Sequence, residues 1–296
     1  MIGQLRKIYP SLLVYTTEKG SLDVRYKWFM TEDNSIIGIH QKELSDKDQA
    51  LLAAFLTPYN VAFPPMTNDE LRWKKAVTHI EGHPPFTFPL ANPYRFIYFS
   101  INKNQITPVF FHEAIQELFE HPVPILWENE FEGLIIEEQN ASEDNPSYEQ
   151  MIDVLMSDLY VKITFFVGPF QKSFDSIQPY YRSVIRDAKK VFAYSDKTVI
   201  TYIDAVPYLL IDQIDPAFRN ELSRNVLQEF IDDEDTLKML ETFVHSNLNI
   251  SETAKELHLH RNSLQYRLDR FFEKTGIDIR QFHQAMPVYL AMLAKE

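Results

Sequence analysis

Hydrophobic positions along the chain change rhythm twice. Between Val24 and His40 they gather in two short β-rich runs, VRYKWFM and SIIGIH, which predict strands on either side of a turn at Thr31–Ser35. LSDKDQALLAAFL then predicts a helix, with Ser45 as its N-cap and Asp48 three residues on. Pro58, Pro64 and Pro65 interrupt, and Leu71–Ile80 predicts a second short helix. Four prolines within Gly82–Pro93 exclude a helix or a central strand, so this stretch is read as a domain boundary.

A regular alternation follows. Tyr94–Asn102 reads as a strand and Pro108–Phe119 as a helix with proline at its start. PILW and FEGLIIEE are two strands joined at Glu128–Glu130, and the polar loop QNASEDNPS leads into a helix at Tyr148–Leu159. VKITFFVG is a strand, Asp175–Phe192 a longer helix and TVITYID a last strand. Strand–helix–strand–strand–helix–strand is the split βαβ order of ferredoxin-like sheets, here extended by one helix and one strand. From Pro207 the pattern is helical: Asp215–Phe230, Asp235–His245, two short helices either side of His258, and a segment from Ile279 onward. The charged run IDDED (Ile231–Asp235) reads as a hinge. The expected fold class is α+β, with a mixed α/β N-terminal domain at 1–90, an α+β middle domain at 94–205, a helical linker at 206–234 and an all-α domain at 235–296.

The stretch NISETAKELHLHRNSLQYRL, Asn249 to Leu268, concentrates the chemistry. One helix from Ser251 to Leu257 carries the small residue Ala254 where a second helix can cross closely, and a turn falls at His258. The next helix, from about His260–Asn262, places Leu264, Leu268, Phe271 and Phe272 at i, i+4, i+7, i+8, which predicts one buried face. Opposite lie Arg261, Asn262, Ser263, Gln265, Tyr266, Arg267 and Arg270. Two short helices, a tight turn and a polar, basic second helix make a helix-turn-helix. Arginine suits guanine or phosphate, asparagine and glutamine suit adenine, and serine suits either. Each residue also has a plainer use: a solvated face for Arg261, Asn262 and Ser263, an N-cap for His260, ring packing on the neighbouring helix for Tyr266.

Charge sharpens the picture. The net charge is −13, yet residues 236–296 carry eight Lys/Arg against seven Asp/Glu, a net of +1, which leaves −14 for the first 235. An acidic body with one locally basic element suits contact with DNA confined to one surface. The absence of cysteine removes disulfides, thiolate catalysis and Cys-based zinc sites. His258 and His260, two apart, do not converge on a metal, and HEAIQ at His112–Gln116 lacks the second histidine of HExxH. Seven dispersed glycines form no phosphate-cradling loop. Tyr15, Arg25, Tyr26, Trp28 and Phe29 are candidates for a small pocket, with strand packing as the plainer reading. No cofactor or metal is expected, and no run reaches the ~20 apolar residues that span a bilayer. The N-terminus lacks a signal-peptide pattern, which points to the cytoplasm.

NISETAKELHLHRNSLQYRLDRFFEKTGIDIR resembles the C-terminal DNA-binding segment of PucR/CdaR-type bacterial regulators, a Fis-like helix-turn-helix. The resemblance is carried by Asn249, Ala254, Leu257, His260-Arg261-Asn262-Ser263-Leu264, Tyr266-Arg267-Leu268 and Thr275-Gly276. FVGPFQKSFDSIQPYYRSVIRDAKKVF is similar to the upstream part of the same family, which implies a degenerate GGDEF-like middle domain. The likeness covers roughly 94–296, is strongest over 236–280 and implies no ligand for 1–90. WENEFEG, Trp127–Gly133, stands where active cyclases carry their signature hairpin, but lacks the paired glycines that let backbone approach phosphate.

The expected function is sequence-specific DNA binding by a transcription regulator, an activator by resemblance, that responds to a small-molecule effector. His260, Arg261, Asn262, Ser263, Gln265, Tyr266, Arg267 and Arg270 are the expected contacts. Double-stranded DNA, an unidentified effector, a second copy of the chain and RNA polymerase are the expected partners; no membrane and no catalysis are expected. Two rival readings stay open: a metabolite- or nucleotide-processing enzyme with a regulatory helical domain, and a helix-turn-helix that binds another protein.

Overall fold

The computed structural model describes residues 1–15, 22–31, 35–60, 62–78, 92–103, 105–139 and 147–295. The chain divides into two units: Met1–Phe165 with Phe170–Gln178, and Phe166–Pro169 with Pro179–Glu296. Most of the proline-rich stretch Gly82–Pro93 and of the loop QNASEDNPS lies outside the described residues.

In the first unit the order is α1 (Ile2–Ile8), β1 (Leu13–Val14), β2 (Tyr26–Met30), β3 (Ile36–His40), α2 (Asp46–Phe55), β4 (Thr57–Tyr59) and α3 (Asn68–Val77). Its first sheet runs β1-β3-β2-β4, with antiparallel pairs that set Trp28 opposite Gly38. A Cβ on Gly38 would stand 2.8 Å from the Trp28 ring, so this register requires glycine. Trp28 and Phe29 are buried, and the Trp28 indole donates to Asp23 O at 2.9 Å. Arg25 pairs with Asp23. Strand packing thus occupies Trp28 and Phe29. Ser45 caps α2 in a capping box with Asp48, as the sequence predicts. The second helix begins at Asn68 instead of Leu71, because Thr67 and Glu70 form a capping box of their own. α1, β1 and β4 are not among the elements the pattern predicts.

The chain continues with β5 (Tyr94–Ile101), α4 (Pro108–Leu118), β6 (Ile125–Asn129), β7 (Glu132–Glu138), α5 (Tyr148–Leu159) and β8 (Ile163–Val167). These strands stand in the order β6-β7-β5-β8, the ferredoxin-like arrangement that the alternation implies. Phe96, Phe99, Phe111 and Phe165 are fully buried in its core. At the hairpin, a Cβ on Gly133 would meet Leu126 O at 2.5 Å and the Phe99 ring at 2.8 Å. On β5, Arg95 pairs with Glu137, which also accepts the Tyr148 hydroxyl at 2.6 Å, and its guanidinium lies 4.2 Å from the Phe170 ring centre. Cation–π stacking and a shared carboxylate together satisfy this half-buried charge.

The later elements are α6 (Ile177–Val191), β9 (Val199–Thr201), α7 (Tyr202–Gln213), α8 (Pro216–Leu227), α9 (Glu234–His245), α10 (Ile250–Glu256), α11 (Arg261–Thr275) and α12 (Phe282–Lys295). The expected strand TVITYID stops at Thr201. There the hydroxyl and Asp204 close a capping box, and Tyr202 onward is helical through Pro207. The helical core of the second unit gathers Leu227, Phe230, Leu240, Phe243, Ala254, Leu264, Leu268, Phe271 and Val288. The fold is α+β with an all-α C-terminal region. Among the described residues no helix is long and apolar enough to cross a membrane.

Candidate nucleic-acid interface

α10 and α11 are set by local capping chemistry. Asn249 Oδ1 accepts from the amides of Ser251 at 2.9 Å and Glu252 at 3.3 Å, which starts α10. α10 ends in a Schellman pattern: Leu259 N–H donates to Ala254 O at 2.8 Å and His258 N–H to Lys255 O at 3.2 Å. His258 takes the left-handed position, φ 53°, where glycine is usual. Thr253 and Ala254 are buried, so the contact side of α10 is short enough for α11 to pack close. His260 Nδ1 then accepts from Asn262 N–H at 3.3 Å and caps α11. That bond makes Nε2 the N–H donor of the neutral ring. Capping therefore leaves His260 one hydrogen-bond donor at the helix start.

Leu264, Leu268 and Phe271 are buried as the pattern requires, but Phe272 is 44% exposed. At about 100° per residue, Phe272 has turned some 80° from Leu264 and leaves the buried face. Arg261, Asn262, Ser263, Tyr266, Arg267 and Arg270 are exposed and Gln265 is half-buried; Tyr266 is 70% exposed, so ring packing does not hold it.

The same wheel divides the exposed surface. Asn262 and Tyr266 lie almost opposite the buried stripe, but so do Asp269 and Glu273 one and two turns further on. Asp269 accepts from Arg280 at 2.7 Å, tying α11 to the segment before α12. Ser263, Arg267 and Arg270 turn to one flank, where they share a groove of about 520 Å³ with Asp233, Asp235 and Thr236 at the start of α9. Asp233 caps α9, accepting from the Thr236 hydroxyl at 2.8 Å and its amide at 3.1 Å. Those bonds, with the nearby charges of Arg270 and Arg267, hold the Asp233 carboxyl below its ordinary pKa. The structure thus brings His260, Arg261, Asn262, Ser263, Gln265 and Tyr266 to the N-terminal end of α11, and sets Arg267 and Arg270 beside two carboxylates. IDDED was read from sequence only as a hinge; that it faces α11 is a tertiary fact with no local signal.

Among the described residues no group of three His, Asp or Glu is placed to hold a metal ion. His112 stands 3.5 Å from Glu70 Oε1.

Residues 236–294 match the model of the PucR C-terminal helix-turn-helix domain. The C-terminal domain is similar to the PucR helix-turn-helix. The chain is similar over nearly all its length to the uncharacterized protein YxkF of Bacillus subtilis, 28% identical, with 99% of this chain and 98% of that one covered. A shorter likeness, 32% identical, joins it to the carbohydrate diacid regulator of Escherichia coli over 32% of this chain and 26% of that protein. A third, 23% identical, is to the purine catabolism regulatory protein of Bacillus subtilis over 52% of this chain and 28% of that protein. The PucR domain begins within α9 and ends within α12, so the match takes in both helices of the motif and the two that support them.

Proposed function

We propose that the chain is a cytoplasmic, sequence-specific DNA-binding transcription regulator of the PucR type, an activator that responds to a small-molecule effector. The observation that carries this reading is the exposed, polar N-terminal edge of α11, presented by a short capped turn from α10. On this reading residues 1–90 sense, 94–205 form the degenerate GGDEF-like domain, 206–234 link and 235–296 read DNA. α11 enters the major groove with Arg261, Asn262, Ser263 and Gln265 toward base edges. His260 Nε2 and the Tyr266 hydroxyl suit phosphate oxygens. Arg267 and Arg270 face phosphate from the flank, where Asp233 and Asp235 compete with it for their charge. Two copies reading half-sites one helical turn apart, ~34–36 Å, are expected. The regulators named among its relatives support this assignment over catalysis.

The test is DNA binding by the full chain over a salt series, with the gene's own upstream region and a scrambled duplex. Tight, specific binding whose log affinity falls steeply with log salt is the expected result. Arg261→Ala should then cost about 1–3 kcal/mol on the operator and far less on the scrambled duplex. Equal loss on both would assign Arg261 to phosphate; no binding to either duplex at low salt, with or without the N-terminal domains, would overturn the reading.

A further inference from the structure

α7, YIDAVPYLLIDQ, is apolar around most of its girth; its only polar side chains are two tyrosines, Asp204, Asp212 and Gln213. A helix of that composition belongs in an interior. One face has found one: Ala205, Tyr208 and Ile211 are buried, α7 packs on α12, and the Tyr208 and Tyr289 hydroxyls pair. A second face stays in water. Ile203, Val206, Pro207, Leu210 and Ile214 recur at i, i+3, i+4, i+7 and i+11. At about 100° per residue they fill an arc of about 100°, its centre turned about 150° from the buried face. Ile203 is 76% exposed and Leu210 54%, and the other three are half-buried. A contiguous apolar stripe left in water marks an interaction surface.

Charge selects what covers it. The chain carries −13, so most pairings of its surface with itself set carboxylate against carboxylate. The stripe holds no charged residue. Asp204 lies outside the arc and caps α7 with Thr201, and Asp212, also outside it, holds Lys190 of α6. The stripe therefore meets its own copy without like-charge repulsion, and it offers a foreign protein no charge by which to be selected. Its order suits self-pairing too. Ile203, Pro207, Leu210 and Ile214 are symmetric about the midpoint between Tyr208 and Leu209. Antiparallel two-fold pairing sets Ile203 against Ile214 and Pro207 against Leu210, both ways round, as an isologous contact requires. Eleven steps of 1.5 Å make the stripe about 17 Å long, and a helix face of that length covers less than the ~800 Å² per partner of a standard interface. Pairing through it is thus reversible and concentration-dependent.

We infer that a second copy of the chain packs antiparallel on this stripe, α7 against α7. As the joint that spaces two reading helices, the contact rests on the regulator reading above; as a surface for self-association it does not.

The test is sedimentation of the full chain, without DNA, from about 1 to 100 µM, over which the wild type should pass from monomer to dimer. Leu210→Lys should raise the dimer Kd about ten-fold or more. Leu51→Lys on α2, where the leucine is 58% exposed, should leave it unchanged. The chain has no cysteine, so introduced thiols report the register. On oxidation, Ile203→Cys mixed with Ile214→Cys should give a disulfide-linked dimer, and neither variant should do so alone, because like positions then stand about 17 Å apart. Unchanged circular dichroism checks that the variants fold. A chain monomeric at about 100 µM, a dimer that Leu210→Lys leaves intact, or ready cross-linking of either cysteine variant alone overturns the inference. In a monomeric chain, a lower melting temperature for Leu210→Lys would assign the stripe to a contact within the chain, and an unchanged one to a different protein. Because no DNA is present, failure here leaves the DNA-binding reading untouched, and failure on DNA leaves the sedimentation interpretable.

Discussion

Neutralising the acidic flank of α11 is the perturbation that tests its geometry most directly. In Asp233→Asn/Asp235→Asn the α9 cap survives, because an asparagine side chain accepts from the Thr236 amide as aspartate does. The helix loses only the favourable charge at its start, about 0.3–1 kcal/mol. Arg267 and Arg270 are then released from two competing carboxylates in the shared groove. Each phosphate a cation neutralises steepens the log affinity against log salt slope by about 0.9, so two released arginines add about 1.8. Over a fourfold rise in salt, from about 50 to 200 mM, the variant should lose about twelve-fold more affinity than the wild type. The assay is fluorescence anisotropy with a labelled operator at five or more salt concentrations. Adding Arg267→Ala and Arg270→Ala to the same variant should return the slope to the wild-type value. A variant slope equal to the wild type would refute the competition, since removing carboxylates that restrain nothing frees no cation.

Three further outcomes follow from particular contacts. Asp233 has its carboxyl held below the unfolded value, so its contribution to stability is present above about pH 4 and is lost as pH falls through the lower folded value; thermal melts across acidic pH should show this loss in the wild type and less of it in Asp233→Asn. His258→Gly should stabilise the helical domain by about 0.5–1 kcal/mol, because glycine takes φ 53° without the penalty of a Cβ, and unfolding by denaturant checks it. A destabilised variant there would show that the histidine side chain supports the turn. Gly133→Ala drives a Cβ to within 2.5 Å of Leu126 O and should cost about 1–3 kcal/mol in the first unit, read as a lower denaturation midpoint.

Much of this structure is written locally. The β5 to β8 alternation is legible because buried strands and amphipathic helices have different periods, and the Ser45 box and the α10–α11 turn are legible because caps are short-range chemistry. Where the reading missed, a second local signal or a tertiary one won. Thr67 and Glu70 start α3 early, just after two prolines that masked the cap. Thr201 and Asp204 cut a β-branched run that otherwise continues as strand. Phe272 looks like core by composition but has rotated out of it. That Asp233 and Asp235 face Arg267 and Arg270 depends on how α9 crosses α11, and nothing along the sequence states that crossing.

The opposition of Asp269 and Glu273 to the buried stripe of α11 limits how much a single copy can read. With carboxylates on its outer line beyond Tyr266, the edge suited to bases runs from Arg261 to Tyr266, six residues and about 9 Å at 1.5 Å each. At about 3.4 Å per base pair that edge meets about three, and three positions distinguish at most about sixty-four sequences. A genome offers on the order of a million or more competing sites. On the proposed reading, then, one α11 carries too little information to address a promoter, and the address has to be spelled by several reading edges held at a fixed spacing.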